Sequence, residues 1–357
     1  MRGLVFKGNR QLALDHFADP EPGEGEVVLE IKASGMCGTD LHWYRHPNPS
    51  DIVRELGLKD MESRGIDPAA PIIGGHEPCG VIAAIGPGVD PRTFPIGKRV
   101  IVYHYKGCNF CDSCRTGWTQ MCDQGAVIYG VVAHGGHADY MKVPASSLVA
   151  MPDDLSFESG AAIACGTGTA YGALLRLDVS AQDSVAIFGL GPVGLSAAQF
   201  AAAMGAQVIG VDINAERVAR SREFGVAHAI DASHLDPIEE IHKLTRGKGA
   251  TCAIDCAGGD VPKQQAVRST APWGRIALVA VGGSLNVDGM KDIIVKQRTV
   301  IGSYTLSSVE MRECAEFVAD RGIAVDKLFT DRWSLDQAEQ AYAEFDRQDR
   351  GKAVFVA

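Results

Sequence analysis

Two different rhythms of apolar and polar residues divide this chain. From Met1 to about residue 150 the apolar stretches are short and broken by Gly and Pro. MRGLVFKGNR alternates like a strand, VVLEIKA and VIAAIG read as further strands, and KRVIVYHY and ADYMKVPASSLVAM read as antiparallel ones. This pattern predicts a partly open, barrel-like β domain. From residue 184 onward the pattern changes to continuous apolar runs separated by stretches of helical spacing. VAIF, QVIGVD, TCAIDCAG (251–258), GRIALVAVGG (274–283) and RTVIGSYT (298–305) read as strands; LSAAQFAAAMG, NAERVARSREFG and VPKQQAVRSTA read as helices between them. Such alternation predicts a doubly wound parallel sheet. Two more helices, in SSVEMRECAEFVADRG and LDQAEQAYAEFDR, and a closing strand, KAVFVA, complete the pattern.

Length and charge restrict what such a chain does. With 357 residues, 46% of them apolar, there is material for about two cores. No charged-then-apolar leader opens the sequence and no apolar run reaches the roughly 18 residues of a membrane span, so the expected location is the cytoplasm, with no membrane partner. The net charge of −10 repels phosphate backbones and anionic lipid, and no run of Lys and Arg overrides it. Nucleic acid is therefore excluded as a partner, and a small molecule is expected.

The ten cysteines sharpen the picture. In a reducing compartment they point to metal ligation or burial, not to disulfides. Cys79, Cys252, Cys256 and Cys314 have apolar neighbours and are expected inside. Cys108, Cys111, Cys114 and Cys122 are spaced C-x2-C-x2-C-x7-C, which closes a tetrahedron of thiolates around zinc at about 2.3 Å. The usual iron–sulfur runs have different gaps. A site of four sulfurs has no open position, so this zinc is structural. A second, dispersed set consists of Cys37, Thr39, Asp40 and His42 in SGMCGTDLHWY, His76 and Glu77 after a Gly-Gly turn, and Cys165 at the start of a helix-like run. Ligands of Cys, His and Cys type leave one position for water or substrate, as a catalytic zinc requires.

GLGPVG places Gly189, Gly191, Pro192, Val193 and Gly194 between a strand and a helix, and Asp212 ends the next strand about twenty residues on. This is the dinucleotide-binding arrangement: one glycine for the turn, one for approach to the pyrophosphate at the helix N-terminus, one for helix–strand packing. Asp212 accepts from both ribose hydroxyls and repels a 2′-phosphate, which favours NAD over NADP. Arg217, close behind it, is of the kind that accommodates such a phosphate.

Taken in chain order, CGTDLH, GHE, the four-cysteine lobe, Cys165 and GLGPVG with Asp212 strongly resemble the zinc-dependent medium-chain alcohol dehydrogenases, and the resemblance runs the whole length. It implies a GroES-like catalytic domain from residues 1–166 and 305–357, with a Rossmann NAD-binding domain over 167–304 and the active site in the cleft. It implies two zinc ions per chain, the catalytic one held by Cys37, His76 and Cys165, with Glu77 behind the metal or on it. By the same resemblance Asp40 orients His76, Thr39 bonds the reacting alcohol, His42 passes the proton to solvent, and Thr169, Val193, Val279 and Val281 join Asp212 and Arg217 around the cofactor. The reaction implied is reversible oxidation of a primary or secondary alcohol, a diol, polyol or sugar included, by a homodimer or homotetramer. Polyol and threonine dehydrogenases of the family tend to carry an acid at the position of Cys165, which leaves the alcohol unspecified. A zinc-free quinone or enoyl reductase of the superfamily lacks the Cys37, His76 and Cys165 set, and a non-enzymatic zinc and nucleotide binder needs neither Thr39 nor His42. The stretch 47–71 is longer than in many relatives, with helical spacing over 50–64; substrate entrance, surface decoration and subunit contact all remain open for it.

Overall fold

The computed structural model of the protein describes residues 1–49, 51, 52, 67 and 70–357, so nearly all of the helix expected over 50–64 lies outside the described residues. The chain forms two units. One comprises Met1–Cys165, Ser307–Asp320 and Asp326–Ala357, the other Gly166–Leu306 and Arg321–Val325.

The first unit opens with a hairpin of β1 (Arg2–Gly8) and β2 (Gln11–His16) and then builds a seven-stranded sheet around β3 (Glu26–Gly35). The helix α1 (Gly38–Arg45) follows β3 directly. Next come β4 (Glu77–Ile85) and β5 (Arg99–Val102), and then a short ribbon of β6 (Tyr105–Lys106) and β7 (Val127–Ile128) brackets the cysteine-rich loop. β8 (Tyr140–Pro144), β9 (Leu148–Ala150) and α2 (Phe157–Ile163) complete this stretch. β3 pairs antiparallel with β4 along its length and with β8 along its first half. Its inward side chains Val27, Leu29 and Ile31 pack with Ile82, Val100 and Met141 in one apolar cluster.

The second unit starts with α3 (Gly166–Arg176) and alternates from there: β10 (Ser184–Phe188), α4 (Pro192–Ala203), β11 (Gln207–Asp212), α5 (Ala215–Arg220), β12 (His228–Asp231), α6 (Pro237–Leu244), β13 (Ala250–Asp255), α7 (Asp260–Arg268), β14 (Thr270–Leu278) and β15 (Thr299–Gly302). The six strands are all parallel, in the order β12-β11-β10-β13-β14-β15. Val185 to Phe188 are fully buried, as a central parallel strand requires. The order reverses between β10 and β13, and ligands bind such sheets at the carboxyl ends beside that reversal.

The chain then passes through α8 (Ser308–Arg321), β16 (Phe329–Trp333) and α9 (Ala338–Phe345) to β17 (Lys352–Val356). β17 inserts between β16 and β3, pairing Val354 with Gly35. Three expectations are corrected. β14 starts at Thr270, inside the stretch expected to be helix, and stops at Leu278, because the amides of Val279 and Ala280 both turn to the Asp255 carbonyl (3.1 Å each). Val279 and Val281 therefore follow the strand instead of lying in it. Cys79, Cys252 and Cys314 are buried as expected, but Cys256, just past β13, is only half-buried. Among the described residues no helix is long and apolar enough to cross a membrane.

Candidate functional site

Sheet pairing explains how ligands distant in sequence meet. Gly35 at the end of β3 faces Glu77 at the start of β4 on one side and Val354 of β17 on the other. Cys37 follows Gly35 by two residues, His76 precedes Glu77, and Lys352 begins β17. A Cβ on Gly35 would lie 2.1 Å from Glu77 Oε2, so only glycine lets the carboxylate fold in. With Cys165, just after α2, one ligand atom each of Cys37, His76, Glu77 and Cys165 lies within 4.8 Å of all the others.

Asp40 braces this set. Its Oδ2 accepts from the Cys37 amide at 2.8 Å, closing the first turn of α1, and its Oδ1 accepts from His76 Nδ1 at 3.1 Å. A carboxylate only accepts, so Nδ1 carries the proton and Nε2 is left to face a metal. Behind Asp40 lies His137, fully buried, with Nδ1 2.8 Å from Ser34 Oγ and Nε2 2.9 Å from the Tyr342 hydroxyl. Burial pushes His137 down to about 4, which keeps it neutral. On the other side of the cluster Glu77 is completely buried, with Oε2 paired to Lys352 Nζ at 2.5 Å and Oε1 without a donor among the described residues. Lys352 also donates to the Met36 carbonyl at 2.9 Å. Burial pushes Glu77 up to about 8, with Lys352 pulling the other way.

The two thiols divide their roles. A hydrogen bond from Cys165 holds Cys37 well below the ordinary thiol range in spite of burial, and the same hydrogen bond pushes Cys165 up. Thr39 is exposed beside Cys37, its Oγ1 3.9 Å from Sγ, and His42 is exposed one turn further along α1. His104 is buried against the cluster, its ring centre 5.2 Å from that of His76 and its Nδ1 3.1 Å from the Ala164 carbonyl. Burial first, then the nearby His76, pushes it down to about 3.

In the cysteine-rich loop, the Cys108 and Cys114 sulfurs are 4.0 Å apart, as are those of Cys111 and Cys122, and all four meet within 4.8 Å. Sulfurs about 2.3 Å from a common centre stand about 3.8 Å apart in a tetrahedron. The amides of Phe110 and Cys111 donate to Cys108 Sγ at 3.4 and 3.3 Å and lower that thiol to about 6.

In the second unit the glycine loop leaves β10 beside the sheet's reversal point. Gly189 has φ +93°, and a Cβ there would meet the backbone of Cys256 and Ala257 at 2.9 Å. Gly191 caps α4, with Pro192 at its first position, and a Cβ there would meet nothing within 4 Å. A Cβ on Gly194 would come within 1.8 Å of the Gly189 carbonyl oxygen. The loop is thus tight where helix meets strand and open where a phosphate would approach. Asp212 accepts from the Leu190 amide (2.7 Å) and the Asn214 amide (2.9 Å), which fixes its carboxylate beside the loop. Val193 and Arg217 are half-buried nearby in sequence, Thr169 is buried in α3, and Val279 and the exposed Val281 lie on the loop after β14.

Comparison with known proteins decides the family. Residues 23–153 match the alcohol dehydrogenase GroES-like domain, and residues 192–320 match the zinc-binding dehydrogenase domain. The zinc-type alcohol dehydrogenase-like protein YphC of Escherichia coli is 38% identical over 361 residues, covering 99% of this chain and 98% of that one. The chain belongs to the zinc-type alcohol dehydrogenases. The sorbitol dehydrogenase of Bacillus subtilis is 29% identical over 96% of this alcohol dehydrogenase and 92% of its own length. The alcohol dehydrogenase rspB from E. coli CFT073, solved with NADH, superposes with a TM-score of 0.85 at 26% identity over 100% and 99% of the two chains.

For a zinc-type alcohol dehydrogenase the residues present fit the metal. A buried carboxylate with one oxygen lacking a donor, two cysteine sulfurs and an imidazole with Nε2 free of Asp40 are a donor set that a cation satisfies. The sequence reading missed His104, His137, Tyr342 and Lys352. None stands in a recognisable spacing; each comes near the cluster through contacts between segments distant in sequence.

Proposed function

We propose that Cys37, His76 and Cys165 hold the catalytic zinc of this alcohol dehydrogenase, that Glu77 faces the same ion, and that Cys108, Cys111, Cys114 and Cys122 hold the structural one. The first unit then carries the alcohol chemistry and the second binds NAD through its glycine loop and Asp212. The observation that carries the reading is the convergence of the four donor groups on one point, with Asp40 fixing the ligand faces of two of them.

When bound, zinc supplies Lewis acidity that brings the hydroxyl of an alcohol within reach of deprotonation at neutral pH, and NAD accepts the hydride. The chain's own residues supply the rest. Asp40 holds His76 in one tautomer and orientation, which raises its basicity as a ligand. Thr39, next to the Cys37 sulfur, takes the proton of the alcohol in a hydrogen bond, and His42, exposed on the same helix, passes it to water. Asp212, already fixed by two backbone amides, accepts from the adenosine ribose and disfavours a 2′-phosphate. We place the enzyme in the cytoplasm as a homodimer or homotetramer, acting on a small alcohol.

The test is metal analysis beside a binding assay. Wild type is expected to hold two zinc ions per chain and Cys37→Ser one, with alcohol oxidation abolished and NADH fluorescence on binding retained. Full turnover by Cys37→Ser would remove the metal from the mechanism.

A further inference from the structure

Lys263 carries a charge into the interior of the second unit without an ion pair there. It lies in the first turn of α7, is only 6% exposed, and makes no salt bridge with any carboxylate among the described residues. Its Nζ donates to the backbone carbonyls of Gly282 and, at 3.3 Å, Gly283. An apolar side chain would fill the same place without the cost of stripping water from a cation.

What Lys263 grips is the loop after β14. That loop is fastened at both ends as well: the amides of Val279 and Ala280 donate to the Asp255 carbonyl, and the Ser284 amide donates to Asp260 Oδ1 at 2.6 Å. Facing it, Asp255 Oδ1 accepts from the amides of Ala257 and Gly258 at 3.1 Å each, which shapes the turn after β13. The two loops meet backbone to backbone. A Cβ on Gly258 would come within 2.6 Å of the Val281 carbonyl oxygen, and one on Gly283 within 2.6 Å of that of Gly258. Gly282 (φ +92°) and Gly283 (φ +64°) are both in the left-handed region, and glycine loses more conformational freedom on ordering than any other residue.

Sheet order shows which half of the dinucleotide meets this loop. Asp212 ends β11 and the glycine loop follows β10, so the adenosine ribose and the pyrophosphate fall there; the next strands in line are β13 and β14. The nicotinamide half lies over their carboxyl ends. We propose that Lys263 is a positioning residue for the cofactor: by tying the carbonyls of Gly282 and Gly283 to α7, it holds the loop 279–284 ready for the nicotinamide half of NAD. Little ordering then remains for the binding step. This rests on the NAD site assigned above to the glycine loop and Asp212.

The experiment titrates full-length, zinc-loaded enzyme calorimetrically with NADH and with ADP-ribose, which lacks only the nicotinamide. In Lys263→Met the dissociation constant for NADH is expected to rise about tenfold or more, as for the loss of a hydrogen bond from a charged donor, while that for ADP-ribose stays within about twofold. The KM for NAD rises with it, and kcat at saturating NAD changes less. Lys263→Arg, which also donates to two carbonyls, recovers most of the affinity. A residue that only staples the fold would lower the melting temperature and leave the ratio of the two dissociation constants as in wild type; that result overturns the proposal. Wild type that binds neither ligand overturns the NAD reading itself and this proposal with it. Should Lys263→Met not fold, Asp260→Ala, which frees the same loop at Ser284, is judged by the same ratio.

Discussion

Asp40 shows how single side chains assemble this site, since one carboxylate joins the Cys37 amide to the His76 ring, which lies 36 positions beyond Asp40 in sequence. Its place three residues after a cysteine was visible in the sequence, because spacing within one helical turn is local. His104, His137 and Lys352 were not, because each reaches the cluster through contacts between distant segments that no short motif records. The same principle of one acid gathering several donors recurs at Asp183 in the second unit. It accepts from the Ser180 amide (2.9 Å), Thr251 Oγ1 (2.8 Å) and Arg275 Nη2 (2.7 Å). Burial works to raise its pKa, but the Thr251 and Ser180 hydrogen bonds and the Arg275 charge outweigh it and hold the group below its usual 3.8. A depressed folded-state pKa contributes stability that is full above the unfolded value and is lost as pH falls through the folded one. Asp183→Asn is therefore expected to be less stable at neutral pH, by about 2 kcal/mol, and to lose less on acidification, as thermal melts between about pH 7 and 3 would measure.

At the scale of elements, α4 and its loop separate two demands on glycine. Gly194 has backbone where a Cβ would go and Gly191 has open space. Gly194→Ala is expected to destabilise the fold and to weaken NADH binding by about tenfold or more, because neither α4 nor β10 has room to give. Gly191→Ala is expected to keep the wild-type melting temperature and lose binding, the methyl standing only in the path of the pyrophosphate. Equal melting temperatures for the two variants would contradict this division. The long parallel strands and their helices were legible because each is a continuous buried run between turn residues. β2 and β12 were not: QLALDH and HAID are short and half polar, and both become strands only by pairing with a longer neighbour. The boundary between α7 and β14 was misread because STA runs from the cap of one element into the other, and only the pairing of Thr270 with Ala250 shows where the strand begins.

For the whole molecule, chain order and spatial order disagree. The first unit needs the tail, since β17 is an interior strand between β16 and β3 and carries Lys352 to Glu77. The six strands of the second unit all lie between Ser184 and Gly302. A chain ending at Gly351 is expected to lose the catalytic zinc and still bind NADH; retention of both zinc ions would show that β17 is dispensable. The sequence pattern marked KAVFVA as a closing strand but not its place, because an edge strand and an interior strand of this length read alike.

That placement of β17 bears on how the enzyme is made. Domains generally fold as they leave the ribosome, the earlier before the later. Here the nucleotide sheet is complete while the tail is still being translated, whereas the unit begun at Met1 stays open beside β3 until the final residues emerge. On the proposed ligand set, the gathering of Cys37 and Cys165 around a metal is therefore expected to follow the pairing of β17 with β3.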